Sequence, residues 1–168
     1  MSQIASAIGN TQDAQFYQKK ASEYVKTWEK YAQDPSGKHL KASYNDAGSW
    51  FMFYNMFGDK LCQTNLIESR IIKLQDSWYI QKANKYGVPL INTKPITLSD
   101  WEMFYAGASE SKQLKNILYD GIANWLRDSK VRLPMPDAVD STVNNSSFYI
   151  NRPVVGGVFA PLAMKKNK

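Results

Sequence analysis

Asp100 and Glu102 stand at the head of an apolar helical segment, in Ser99-Asp100-Trp101-Glu102. Two carboxyls so placed can divide general acid and base work, provided their surroundings pull their pKa values apart. The same residues have a structural use. Ser-x-x-Glu is the capping-box pattern: Ser99 would cap the Glu102 amide, Glu102 would reach back, and Asp100 would answer the helix dipole. Four further residues are candidates for binding. Arg152 can grip a carboxylate as a bidentate pair, or form an ion pair with Asp140. His39, the only histidine, can act as acid or base near neutrality; as a lone loop histidine it reads as a surface residue. Trp50 and Trp101 begin two apolar segments, where they either wall a pocket or pack the core. No Walker loop, GxSxG, HExxH or GxGxxG motif is present. One histidine and one cysteine, Cys62, exclude a multi-histidine metal site and an internal disulfide. No metal or cofactor is expected.

The elements that must carry these residues are read from periodicity. Ile4, Ala5 and Ile8 have helical spacing before a Gly9-Asn10 stop. A first full helix, about Gln12 to Gln33, has the stripe Tyr17, Ala21, Tyr24, Trp28 and Tyr31 and charges elsewhere. Asp34-Pro35-Ser36-Gly37 ends it. A second helix is expected from about Asp46 to Gln63. It is apolar nearly all round, so it must be buried, and Asn55, Asp59 and Lys60 must find partners or a wet cavity. Ile67, Ile71, Leu74 and Trp78 stripe a third helix, which stops near Tyr86-Gly87. A loop from Val88 to Leu98 leads to a fourth helix, from Ser99 to about Ala108. The fifth, about Glu110 to Asp128, carries Leu114, Ile117, Leu118, Ile122 and Trp125. Ser129 to Pro153 reads as a long loop, and Val154 to Met164 as a last short helix.

Charged amphipathic helices thus alternate with apolar ones, and long connections alternate with short ones. Antiparallel neighbours reverse at each connection. The long loops, with His39, Pro95 and Asn144, should therefore share one end, with the N-termini of the inner helices. That is an all-α arrangement of about three antiparallel helical hairpins, with its loaded face at the long-loop end.

Several strings, in order, resemble the fungal and bacterial glutaminase A family. They are Asp34 to Tyr44 (DPSGKHLKASY), Gly48 to Trp50, Tyr54-Asn55, Asp59 to Leu61, Asn65-Leu66, Asn84 to Leu90 (NKYGVPL), Thr97 to Trp101 (TLSDW) and Arg152 to Phe159 (RPVVGGVF). The resemblance covers nearly the whole of residues 1–168. It implies a partial (α/α)6 toroid of six-hairpin, glycosidase-like type. It implies hydrolysis of L-glutamine to L-glutamate and ammonia in an extracellular enzyme. It also implies that the chain is the C-terminal part of that domain, since an acidic stretch that relatives carry upstream is missing. Asp137 to Ser141 (DAVDS) departs from a D-x-Y-D-T pattern by losing the aromatic. On this reading the catalytic candidates are Asp100 and Glu102. The substrate-binding candidates are Trp50, Trp101, Arg152 and His39. The same toroid hosts glycosidases, so a carbohydrate-active or carbohydrate-binding hairpin domain is the alternative.

The formal charge of +6 comes from 21 Lys and Arg against 15 Asp and Glu. The basic residues are interleaved with acids except at Lys165, Lys166 and Lys168, which argues against nucleic acid as a partner. No apolar run is long enough to span a membrane, and Met1 to Asn10 lacks the pattern of a signal peptide. Asn144 and Asn145 each begin an N-x-Ser sequon. Three hairpins cannot close a ring. Ile4, Ile8, Val154, Val155, Phe159 or Leu162 should then be exposed at an open edge, with dependence on a missing N-terminal half or self-association as the consequence.

Overall fold

The computed structural model describes residues 1–130, 132–144 and 147–164. The sequon at Asn145 and the basic tail at Lys165, Lys166 and Lys168 lie outside them. Helix α1 (Ser2–Ala7) folds back on α2 (Thr11–Ala32), and the Ser2 hydroxyl donates to Ala14 O at 2.9 Å. Asn10 caps α2 by accepting from the Asp13 amide at 3.1 Å, and Asp13 faces the positive helix end. Helix α3 is Met56–Leu61, α4 is Ser69–Lys82, α5 is Ser99–Ala108 and α6 is Lys112–Asp128. Ser111 caps α6 through the Leu114 amide at 3.2 Å. Leu114, Leu118, Gly121 and Trp125 form the buried stripe of α6, each within a turn of the next. Asp76 of α4 is buried and holds the start of α6, accepting from the Glu110 and Ser111 amides at 3.0 and 2.9 Å.

Helix α5 is the central element. It packs on α3, α6, a 3₁₀ helix (Pro153–Phe159) and α7 (Ala160–Ala163). Ser99, Asp100, Glu102, Met103, Tyr105, Ala106 and Ala108 are all buried along it. Gly157 permits a close approach: a Cβ there would lie 2.6 Å from Asp100 Cβ.

Two segments differ from expectation. The helix expected from Asp46 to Gln63 exists only as the six residues of α3. The preceding Trp50, Phe51, Met52 and Phe53 run extended. Phe51 bridges to Ile91, and the Met52 amide donates to Leu90 O at 2.8 Å. Tyr79 completes the anchoring: its hydroxyl accepts from the Phe53 amide at 3.1 Å and donates to Phe51 O at 2.7 Å. An apolar run buried on all sides has no wet face, so its pattern is compatible with strand or helix until its partners appear. The polar residues of the run do find partners. Asp59 accepts from the Leu66 and Ile67 amides at 2.8 and 3.2 Å, Lys60 pairs with Glu110 at 3.1 Å, and Asn55 is exposed.

The expected loop of residues 129–153 holds two strands. With β1 (Ile96–Leu98), strands β2 (Pro136–Asp140) and β3 (Ser147–Ile150) form an antiparallel sheet in the order β1-β2-β3. Ile96 pairs with Asp140, and Ala138 with Phe148. The chain is therefore mainly helical with a small sheet, rather than all-α.

Hydrogen bonds gather the long connections at one end. The Trp50 amide donates to Asn92 Oδ1 at 3.3 Å, and the Ser141 amide to Pro95 O at 2.6 Å. Asn84 Nδ2 reaches Ser141 Oγ at 2.9 Å, and Asn144 Nδ2 reaches Trp125 O at 2.9 Å.

Candidate functional site

Helix α5 leaves β1 without a side-chain cap, because its N-cap position is Leu98. The first turn of α5 thus presents backbone N–H groups, its own and that of Trp101, to the Asp100 carboxyl. Asp137 of β2 is fully buried nearby. Arg152 closes the group: Nη1 lies 3.2 Å from Asp137 Oδ2, and its guanidinium lies over the Tyr149 ring at 4.9 Å. The Asp137 contact is an ion pair without hydrogen-bond geometry, since neither Asp137 oxygen has a hydrogen-bond partner among the described residues. Asp100 Oδ1 also has none.

Burial pushes the Asp100 pKa up, the first-turn amides oppose it, the Asp137 charge adds to it and Arg152 subtracts; the net direction is upward. A carboxyl with raised proton affinity, beside a second carboxyl held by an arginine, is an arrangement suited to proton transfer. Trp101 follows Asp100 in the chain and stacks on Tyr54, centroids 3.9 Å apart and planes at 17°. Trp101 and Tyr54 are both partly exposed.

The other sequence candidates lie elsewhere. Glu102 does not complete a capping box. It turns inward, is fully buried, and accepts from the Val88 amide at 2.6 Å. Burial pushes its pKa up to about 8 against the Val88 amide and the nearby Thr97 hydroxyl. Arg152 pairs with Asp137 and not with Asp140, whose carboxylate accepts from the Thr142 and Val143 amides at 2.8 and 3.2 Å.

His39 is not a surface residue. It is 2% exposed, stacks on Trp78 at 4.0 Å, and its Nε2 lies 3.7 Å from Asp34 Oδ1. Burial acts to raise the Asp34 pKa, but donors from Ser36 and Gly48 and the histidine outweigh it, leaving the carboxyl at about 2. Trp50 is buried edge-on to Trp78, centroids 6.4 Å apart, and so joins the His39 cluster. The structure thus brings together Asp100, Arg152 and Trp101, and separates them from Glu102, His39 and Trp50. It adds Asp137 and Tyr54, which sequence reasoning passed over. Asp137 sits in a stretch read as loop. Its place at the start of the D-x-Y-D-T-like string, or strand alternation setting Asp137 and Val139 on one face, could have pointed to it.

A groove of about 600 Å³ runs beside α2, walled by Tyr24, Trp28, Tyr44, Phe51 and Phe53. Its one carboxyl, Asp59, is occupied by the Leu66 and Ile67 amides. The groove offers apolar contact but no free acid–base pair, so the Asp100 cluster is the better candidate for chemistry.

Residues 1–162 match the glutaminase A six helical-hairpin domain. The chain belongs to that family. A probable glutaminase of Arthroderma benhamiae is 29% identical over 197 aligned residues, spanning 99% of this chain and 23% of that protein. Glutaminase A of Aspergillus oryzae is 28% identical over 169 residues, spanning 98% of this chain and 24% of that protein. The chain therefore spans about a quarter of the length of these family members. No solved structure gives a significant match.

Proposed function

We propose that this chain is part of a glutaminase-like amidohydrolase that converts L-glutamine to L-glutamate and ammonia, and that it contributes Asp100, Arg152 and Trp101 to the active site. The observation that carries the reading is the raised proton affinity of Asp100 beside Asp137 and Arg152 at the long-loop end. The names of relatives about four times as long as the matched region support the reaction class.

Amide hydrolysis adds water across the C–N bond. A base takes one proton from water, the oxygen bonds to the carbonyl carbon, and the nitrogen leaves with an added proton as ammonia. A carboxyl whose proton affinity is raised by burial suits the last step, and Asp100 fills that role. Asp137 is a positioning residue that raises the proton affinity of Asp100. Arg152 is half exposed, so N–H groups beyond the Asp137 pair are available for the α-carboxylate of glutamine. Trp101 and Tyr54 wall one side. The hairpins form one sector of an (α/α) toroid, and the remaining chemistry comes from the larger part of an extracellular protein.

The test is ammonia release from glutamine by the chain alone and by a chain of the relatives' length. The short chain should be inactive or nearly so. In the long chain, Asp100→Asn should lower kcat by roughly 10²-fold or more with the far-ultraviolet spectrum unchanged. Turnover by the short chain at about 1 s⁻¹ or faster, or an Asp100→Asn enzyme of normal kcat, would overturn the proposal.

One observation favours a second reading. Two neighbouring carboxyls are also the equipment of a glycosidase. Sugar release by the long chain without ammonia release would select that reading.

A further inference from the structure

Next to Ser99 and Pro136, the chain neighbours of Asp100 and Asp137, lies a small cavity between β1, β2, α5 and α6. Its water-accessible volume is about 10 Å³, and Thr97, Ser99, Glu102, Trp125, Pro136 and Val139 are among its walls. Four polar atoms of those walls are buried without a hydrogen-bond partner among the described residues: Thr97 Oγ1, Ser99 Oγ, Glu102 Oε2 and Trp125 Nε1. Thr97 lies near enough to act on the Glu102 charge but makes no hydrogen bond of good geometry. Buried polar atoms are rarely left alone, and four around one cavity is far from the ordinary density of such exceptions.

We infer that this cavity is a binding site for a single internal water molecule, held by Trp125 Nε1, Glu102 Oε2 and the hydroxyls of Thr97 and Ser99. The volume is about that of one water-sized sphere. The donor set decides the chemistry of the occupant. An indole N–H can only donate, so the occupant must accept. Ammonium and metal cations have no lone pair to offer and would face the indole hydrogen directly. An apolar occupant would satisfy none of the four atoms. Water accepts from Trp125 and has two protons for the oxygens around it. The molecule ties the last turn of α6 to β1 and to the first turn of α5. Those are elements that share a boundary with Asp100 and Asp137, through Ser99 on one side and Pro136 on the other.

Glycines press the wall together around this site. A Cβ on Gly87 would fall 2.1 Å from Glu102 Oε1, and one on Gly121 would fall 2.8 Å from the Gly87 backbone. The absent Cβ of Gly87 thus leaves the space that the Glu102 carboxyl occupies in the interior.

The experiment is a crystal structure of the chain at atomic resolution, paired with a water-to-amide magnetisation-transfer spectrum in solution. One density peak should lie within hydrogen-bond distance of Trp125 Nε1 and at least one of the three oxygens. The indole N–H should show a cross-peak to a long-lived water. Trp125→Phe keeps the ring but removes the donor, and its cavity peak should weaken or vanish. Glu102→Gln keeps the shape and should retain the peak. An empty cavity in the parent chain would overturn the inference, as would direct donation from Trp125 to Glu102, or a cation in the peak. The parent structure alone decides the matter if Trp125→Phe does not fold. Activity enters none of these outcomes, so they stand apart from the glutaminase reading.

Discussion

Glu102 and Asp34 show how the same chemical group is driven in opposite directions by its surroundings. Asp34 has donors on several sides, and the carboxylate form is favoured despite burial, to about 2. Glu102 has the Val88 amide on one oxygen and is fully buried, so the neutral form is favoured up to about 8. The sign of the stability effect follows. In the unfolded chain Glu102 releases its proton near the ordinary value of 4.5, whereas in the folded chain it holds it to about 8. Its contribution is fully present below about 4.5 and is lost as pH rises toward 8. Between pH 4.5 and 7 the loss is about 3 kcal/mol. Glu102→Gln removes that titration while keeping the side-chain shape. Urea unfolding at pH 5 and pH 7.5 should therefore show the parent chain losing stability with pH and the variant losing much less. Equal slopes for the two proteins would mean that Glu102 is not held neutral.

At the scale of elements, α5 and α6 are held by close approaches as well as by apolar stripes. Gly121 on α6 faces the backbone of Gly87, and a Cβ would meet Gly87 N and Cα at 2.8 Å. Backbone cannot rotate away as a side chain can. Gly121→Ala should therefore push α6 from the Tyr86–Val88 turn and cost about 1–3 kcal/mol, although alanine is the better helix former by about 1 kcal/mol. Thermal unfolding of this variant against Ala123→Gly, on the exposed side of the same helix, separates the two effects. A variant at Gly121 that is more stable than the parent would show that the helix can shift freely. Asp76 adds a polar clamp at the other end of α6. Burial raises its pKa, while Tyr105, Ser109 and the Glu110 and Ser111 amides oppose the shift.

Exposed apolar side chains form a margin in two parts, α1 with α2 and the 3₁₀ helix with α7. Ile4, Ile8, Phe159 and Leu162 are 60%, 75%, 65% and 53% exposed, and Val154 is 37% exposed; Val155 is partly covered. Tyr24, Tyr31 and Phe16 add aromatic surface along α2. Isolated apolar side chains are ordinary on a protein surface, but clusters on neighbouring elements point to a covered face. Together with relatives about four times as long, this margin predicts that the chain by itself associates at micromolar concentration and binds a hydrophobic dye. Light scattering with sedimentation is the measurement. A cooperative monomer that leaves the dye dark would argue against an incomplete apolar face. No helix among the described residues is long and apolar enough to cross a membrane.

The sequence by itself determined the elements that keep one wet face. Thr11–Ala32, Ser69–Lys82 and Lys112–Asp128 lie close to where their stripes and breakers put them, because a half-buried helix writes its period into the chain. Ordered strings such as those at Asp34, Asn84, Thr97 and Arg152 made the family legible, and the match over residues 1–162 bears that out. Tertiary structure decided what has no wet face or no local partner. Trp50 to Phe53 is extended because Leu90, Ile91 and Tyr79, distant in sequence, receive its backbone. Residues 136–140 became a strand only because β1 lay beside them. His39 is interior because Trp78 covers its ring. Glu102 left its expected cap because the Val88 amide, fourteen residues away in the chain, is a closer partner for a buried carboxyl than its own helix start. In each case the deciding group lies beyond the reach of a helical turn, where local spacing carries no information about it.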